Sequence, residues 1–233
     1  MLAADPRLAE RIVLGGPFRG MRYPAARALG STLYPKLVGC YECELHPWLD
    51  RLRSRPYAHV MDIGCAEGYY AVGLALLFPR AEVLAHDSDP AALAACRETA
   101  LANGVLDRVR LGGLVSADDL GRFGARGGGL IVCDCEGCEM TLFSPGAVER
   151  LAACDLIVEL HDFIDPAISS TLVERFRRTH MVRTVPTRRR NAGRWPALRR
   201  LPPLARELAV AELRPGPMEW LLAESRAPSR DAR

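Results

Sequence analysis

Val60-Met61-Asp62-Ile63-Gly64-Cys65-Ala66-Glu67-Gly68 is an apolar run that ends in a carboxylate, breaks into a glycine-punctuated turn and passes into a second apolar stretch, Tyr69 to Phe78. His59 to Ile63 is too short and too uniformly apolar for an amphipathic helix, so it reads as a strand buried on both faces. Gly64 and Gly68 can adopt backbone angles that a side chain forbids. They allow main-chain N–H groups and a helix N-terminus to approach a ligand closely.

The same unit recurs downstream without the special loop. Glu82 to His86 reads as a strand ending at Asp87, and Asp89-Pro90 caps a helix that runs to Asn103-Gly104. Val109 to Leu111 is a short strand, followed by a capping box at Ser116 to Asp119. Leu130 to Cys133 is a buried strand closed by Asp134, Ser144-Pro145 opens a helix to about Ala153, and Leu156 to Leu160 leads into His161-Asp162. Asp165-Pro166 caps a helix through Arg178, and Met181 to Val185 and Met218 to Ala223 supply two final strands. Strands alternating with helices imply a parallel sheet with right-handed crossovers and helices on both faces. The ligand crevice of such a sheet lies at the carboxyl ends of its strands. Asp62 to Gly68, Asp87, Asp134 to Glu136 and Glu159 to Asp162 should therefore surround one crevice.

Upstream of this unit, Arg7 to Leu14 carries the signals of a short helix, with Asp5 as its cap and Gly15-Gly16 as its end. Pro17 to Pro24 reads as a loop or small hairpin. Between Ser31 and Arg55 the apolar residues recur at roughly helical spacing, with Pro47 dividing two helices. Residues 1–57 are thus expected as a helical extension or cap, 58–223 as the main domain, and 224–233 as a mobile tail. Within the main domain, Thr187 to Pro217 is an insertion rich in Arg, Pro and Gly, with one helix from Leu204 to Leu213.

Two hundred and thirty-three residues suffice for one such domain with decorations. A net charge of +3 is too small to imply nucleic acid by itself. Lys36 is the only lysine, so the basic charge is almost all arginine. Met1 to Gly16 has neither a basic leader nor an apolar core of signal-peptide length, and Ala71 to Phe78 is too short to cross a bilayer. A cytoplasmic protein with mostly reduced cysteines is expected.

Asp62-Ile63-Gly64-Cys65-Ala66-Glu67-Gly68 resembles the D-x-G-x-x-x-G loop of class I S-adenosylmethionine-dependent methyltransferases, and the resemblance extends from about residue 58 to 223. It implies a Rossmann-like α/β fold of seven strands, mostly parallel, with the last strand inserted antiparallel. It also implies S-adenosyl-L-methionine as cofactor. By position, Gly64 and Gly68 pass backbone close to the methionine moiety and ribose, Cys65 belongs to the same loop, Asp87 with Ser88 meets the ribose hydroxyls, and Ala117 or Asp118 reads the adenine edge. Asp62 braces the turn or reaches the ligand's amino group, as Asp134 could from the opposite side. The rival reading, a dinucleotide fingerprint, lacks its middle glycine and places Glu67 where a second anion would be repelled.

Asp134-Cys135-Glu136-Gly137-Cys138-Glu139 is similar to the D-V-E-G-x-E segment of the FkbM group, and Glu159-Leu160-His161 to its E-x-H. That group includes O-methyltransferases of sugar-like and natural-product hydroxyls, so a small-molecule or glycan acceptor is expected. His161 is the candidate general base, oriented by Glu159, with Asp134 and Glu136 beside it. A divalent metal held by Asp134, Glu136, His161 and Asp162 is a competing arrangement that is not favoured, and a zinc site among Cys133, Cys135 and Cys138 is favoured less. The Arg-rich insertion is expected to act as a lid. Trp195 and Trp220 are candidate lining of the acceptor pocket. Alternatives are an N-methyltransferase, an RNA methyltransferase using the insertion, or a module that binds the cofactor without turnover. Nucleic acid and membrane are not expected as partners, and a homo-oligomer is left open.

Overall fold

The structure, a computed structural model, describes residues 6–25 and 28–226. Its order is α1 (Pro6–Ala9), α2 (Leu33–Val38), α3 (His46–Leu52), β1 (His59–Ile63), α4 (Tyr69–Leu77), β2 (Glu82–His86), α5 (Pro90–Ala102), β3 (Val109–Gly112), α6 (Ala117–Ala125), β4 (Leu130–Cys133), α7 (Glu139–Leu142) and α8 (Pro145–Arg150), then β5 (Asp155–Leu160), α9 (Ile168–Arg177), β6 (His180–Pro186), α10 (Pro203–Val210) and β7 (Glu219–Ser225). The seven strands form one sheet ordered β3-β2-β1-β4-β5-β7-β6. β1 to β5 pair in parallel, while β7 runs antiparallel between β5 and β6.

The central strands β1, β4 and β5 are buried at every position, which is why they read as unbroken apolar runs in sequence. Helices cover both faces and divide the core in two. One cluster holds Val60, Val83 and Val132 with Leu74 and Ala100; the other holds Met61, Ile131 and Val158 with Leu120, Phe143 and Phe176. The expected seven-stranded architecture is the one observed.

The element boundaries differ from the sequence reading in several places. The first helix stops at Ala9, because Arg11 turns to a φ of +55° and Ile12 then bridges Arg22 in antiparallel fashion. The Asp5 cap lies outside the described residues. A four-residue α7, invisible to a periodicity argument, separates Cys138 from the Ser144-Pro145 start. The strand expected to end at Ala223 continues through Ser225, so Glu224 is no tail residue. Its carboxylate pairs with Arg51 at 2.9 Å and Arg55 at 3.1 Å. Residues 227–233 lie outside the described part.

The N-terminal extension shares the core of the sheet domain. Phe18, Tyr23, Tyr41, Leu45, Leu49 and Leu52 belong to the same cluster as Val60 and Val83. Phe18 packs so closely on Gly73 of α4 that a Cβ there would meet its ring at 2.6 Å. The 187–217 segment packs against the extension through Val38 and Cys40, which meet Ala192, Leu198, Leu201, Ala209 and Val210. Among the described residues, no helix is long and apolar enough to cross a membrane.

Candidate functional site

The strand order reverses between β1 and β4, and a crevice opens there, at the carboxyl ends of β1, β2 and β4. Its floor is the loop after β1. Gly64 has a φ of +84°, and a Cβ on it would collide with the carbonyl of Asp134, so only glycine lets the β1 and β4 loops approach this closely. The Gly64 and Cys65 amides both donate to the His86 carbonyl at 2.9 Å, which ties the loop to the end of β2. Asp87 follows. Its Oδ2 accepts from the Ala66 amide at 2.8 Å and its Oδ1 from the Asp89 amide at 2.9 Å. Each carboxylate oxygen retains a lone pair for a further donor.

The cavity measures about 310 Å³ and is lined by Gly64, Cys65, Ala66, Asp87, Ser88 and Asp134, among others. That volume lies within the range of small-molecule sites. Four expected cofactor residues fall elsewhere. Gly68 does not line the crevice; its φ of +90° starts α4, and it packs against Cys96. Asp62 is 2% exposed beneath the loop, where burial first, and then the Asp134 charge, push its carboxyl up to about 8. Ala117 and Asp118 open α6 behind the rim, and Gly113, Leu114 and Val115 line the wall in their place.

Glu67 is also not where the sequence argument put it. It is fully buried behind the crevice wall, bonded to Lys36, to the Tyr23 hydroxyl and to the Leu29 amide at 2.8 Å, of which Lys36 and Leu29 themselves line the cavity. Burial is the largest influence and opposes its charge, but Lys36, the Tyr23 hydroxyl and the Leu29 amide together outweigh it and hold the pKa below the usual range. Lys36 in turn lies 4.9 Å from the Tyr41 ring centroid and 5.3 Å from that of Tyr69. The single lysine is therefore structural. With its charge consumed by Glu67, the crevice is left with Asp87, Asp89, Asp134 and Glu136 as its charged lining. Such a field attracts a cationic ligand and repels a pyrophosphate.

On the far side of the crevice, the loops after β4 and β5 bring Asp134, Glu136 and His161 together. His161 Nε2 lies 3.4 Å from Asp134 Oδ1, 3.4 Å from Glu136 Oε2 and 3.7 Å from Glu159 Oε2. The residue orienting the imidazole is not Glu159, as expected, but Glu139, whose Oε1 contacts His161 Nδ1 at 2.6 Å. Glu159 is instead paired with Arg214, which also reaches Glu42 at 2.7 Å and Glu212 at 3.0 Å. Burial lowers the His161 pKa, but Asp134 and Glu139 together outweigh it and hold the imidazolium up to about 11. A bare His161 thus keeps its proton at neutral pH, which argues against the simple general-base role expected from its type. Burial raises the pKa of Glu159 well above the usual carboxylate range.

Asp162 does not join the cluster, because its Oδ1 accepts from the Ser169 amide at 2.8 Å in α9. Among the described residues, the potential metal-ligand atoms that converge are those of Asp134, Glu136 and His161, and no thiol joins them. All eight cysteines are free, with Cys133 buried in β4. Trp220 is fully buried beside the Tyr70 ring, with centroids 6.3 Å apart, and neither it nor Trp195 lines the crevice. Arg190 is spent on Glu44 and Glu212, both at 2.6 Å, whereas Arg188, Arg189, Arg194, Arg199 and Arg200 are exposed. Sequence reasoning missed Glu42, Glu139, Glu212 and Arg214. Only Glu139 had a local signal, as the last acid of Asp134-Cys135-Glu136-Gly137-Cys138-Glu139.

The fold and crevice define a Rossmann-like methyltransferase architecture. Residues 48–123 match the sequence model of the family described as Methyltransferase small domain. Over 121 residues the chain is 31% identical to a Release factor glutamine methyltransferase of Cereibacter sphaeroides, a segment that is 46% of this chain and 41% of the relative. Over 79 residues it is 35% identical to the 2-O-methyltransferase NoeI of Sinorhizobium fredii, covering 34% of this chain and 31% of that protein. The chain therefore matches less than half the length of these relatives. Its fold is similar to that of cofactor-bound Rv0187 from MTB, with a TM-score of 0.52 and 16% identity over 78% of this chain and 79% of the other. It is also similar to an O-methyltransferase from Bacillus cereus in complex with SAH, with a TM-score of 0.51 and 11% identity over 78% and 81%.

Proposed function

We propose that this chain is an S-adenosyl-L-methionine-dependent methyltransferase that methylates a hydroxyl of a small-molecule or saccharide-like acceptor. The observation that carries the reading is a single acidic crevice, with the Gly64 loop and Asp87 on one side and Asp134 and Glu136 on the other, backed by the buried His161. The residues present suit the cofactor. Gly64 leaves the main chain bare at the floor, Asp87 offers acceptor lone pairs to a vicinal diol, and Asp134 adds negative charge to the lining. When bound, S-adenosyl-L-methionine supplies a methyl group on a positively charged sulfonium. The protein's share is to hold the two reactants in line and exclude water, with the acidic lining favouring a cationic donor.

O-methylation is supported by the acceptor side. Its Asp134-Cys135-Glu136-Gly137 turn and Glu159-Leu160-His161 resemble the FkbM pattern, and the position that carries N-P-P-Y in enzymes acting on exocyclic amines holds this acidic turn. The similarity to a protein named 2-O-methyltransferase points the same way. In this reading the extension and the 187–217 segment close over the acceptor, whose proton leaves to solvent past the exposed Glu136 carboxylate.

The test begins with calorimetric titration of the protein with S-adenosyl-L-methionine, followed by transfer of labelled methyl to a panel of hydroxylated glycans and metabolites. Asp87→Asn should weaken cofactor binding at least tenfold, since charge-assisted bonds contribute about 1.5–3 kcal/mol each. No saturable cofactor binding by the folded wild type would overturn the proposal. Methyl transfer only to amides or amines would overturn its oxygen-acceptor part.

A further inference from the structure

We infer that Asp134, Glu136 and His161 form a divalent-cation site, aimed by Glu139, on the acceptor side of the crevice. His161 Nε2 is ringed by carboxylate oxygens at 3.4–3.7 Å yet forms no hydrogen bond with any of them. His161 is fully buried, and its Nδ1 faces Glu139 Oε1 at 2.6 Å, a contact that places a proton on Nδ1. Its Nε2 is also buried and makes no hydrogen bond, and Asp134 Oδ1 beside it makes none either. Leaving such buried groups unsatisfied destabilises the fold. A cation between them would repay that cost.

The spacing suits a shared ion. The Nε2 atom is 3.4 Å from Asp134 Oδ1 and 3.4 Å from Glu136 Oε2, and one ligand atom from each residue lies within 4.8 Å of the other two. Two ligands each about 2.1 Å from a common ion stand roughly 3.0 Å apart at an octahedral angle and roughly 3.4 Å at a tetrahedral one, so the observed spacing closes on such an ion with at most small side-chain shifts. The Glu139–His161 contact is the carboxylate–imidazole arrangement that fixes the tautomer and heading of a metal-binding histidine. Glu159 Oε2, at 3.7 Å, is the other carboxylate oxygen facing Nε2, but that side chain is engaged by Arg214.

The site is closed behind and open in front. Asp134 and Glu136 line the crevice, and Glu136 has a side chain 68% exposed on a left-handed turn with φ of +53°. Exchangeable positions for water or acceptor oxygens would face the cavity. One imidazole nitrogen and two carboxylates suit Mn²⁺ and its first-row neighbours better than Ca²⁺, which takes oxygen ligands. The ion would lower the pKa of an acceptor hydroxyl that reaches it. That catalytic use rests on the methyltransferase reading, whereas binding of the ion does not.

The experiment titrates the EDTA-stripped full chain with Mn²⁺, following binding by calorimetry and by electron paramagnetic resonance. One ion per chain is expected, with nitrogen coupling from one imidazole. Glu136→Gln, at an exposed side chain, and Glu139→Gln should each weaken binding about tenfold or more. The surface control Glu149→Gln should leave it unchanged. If the folded wild type shows no saturable Mn²⁺ binding, if no nitrogen coupling appears, or if neither Glu136→Gln nor Glu139→Gln weakens binding, the site is wrong and His161 is an imidazolium held by its carboxylates. S-adenosyl-L-methionine is titrated into the same preparation. Cofactor binding without Mn²⁺ binding overturns this inference alone, and Mn²⁺ binding without cofactor binding overturns only the proposed function.

Discussion

Asp62 shows how the position of one carboxyl sets its chemistry. It sits one residue before the end of β1, in register with Ala85 and Val132, and its Oδ2 has no hydrogen-bond partner. Burial, then the Asp134 and Asp87 charges, raise its pKa to about 8, against smaller opposing contributions from the Ala71 backbone and Lys36. The folded state therefore holds a proton that the unfolded chain releases near pH 4. The associated stability is complete below that value and is lost as pH rises through about 8, at up to about 1.4 kcal/mol per pH unit. Asp62→Asn cannot release this proton. Its stability should fall less steeply than that of the wild type between pH 5 and 8 in urea unfolding, and parallel curves for the two proteins would disprove the assignment. The sequence showed that an acid stands here. It could not show which way the side chain turns, because a carboxylate that closes a strand can face either the ligand or the core.

At the scale of elements, what was legible and what was not divide by sequence distance. The strands were readable because each is a short apolar run closed by a polar residue, and α5 and α6 because their caps are local: Asp89 accepts from the Ala91 amide, and Ser116 and Asp119 cap reciprocally. The network behind the acceptor side was not readable. Arg214, between α10 and β7, reaches Glu42 across 172 positions and Glu159 across 55. No periodicity links such residues. Yet Arg214 compensates three buried carboxylates, and Glu42 still has its pKa raised to about 7, with burial as the main cause and Arg214 opposing it. Arg214→Met should cost about 3–5 kcal/mol, as removing one partner from a buried ion pair does. The loss should be greater at pH 8 than at pH 6, because carboxylates with raised pKa destabilise the fold as they ionise. Chemical unfolding at the two pH values measures both effects, and a loss under 1 kcal/mol would mean that the network is already neutral without the arginine.

For the whole molecule, the question is whether the extension is an accessory or part of the domain. The sequence suggested a boundary near residue 57, where the helical spacing gives way to β1. Packing argues otherwise: Met21, Tyr23, Leu45 and Leu52 are completely buried, in the same cluster as the β1 and β2 side chains. Electrostatics adds a second tie, since without Lys36 the buried Glu67 would have no counter-charge. Arg55 adds a third by bonding to Asp155 and Glu224 at the starts and ends of β5 and β7. Each fully buried large apolar side chain contributes roughly 1.5–3 kcal/mol, so losing these four alone removes an amount comparable to the roughly 5–15 kcal/mol by which a domain is stable. A fragment of residues 58–226 should therefore show no cooperative thermal transition and should bind a hydrophobic dye, whereas the full chain unfolds cooperatively. If the fragment instead melts sharply and retains cofactor binding, the extension is a detachable cap, and the Lys36–Glu67 pair does not help hold the Gly64 loop in place.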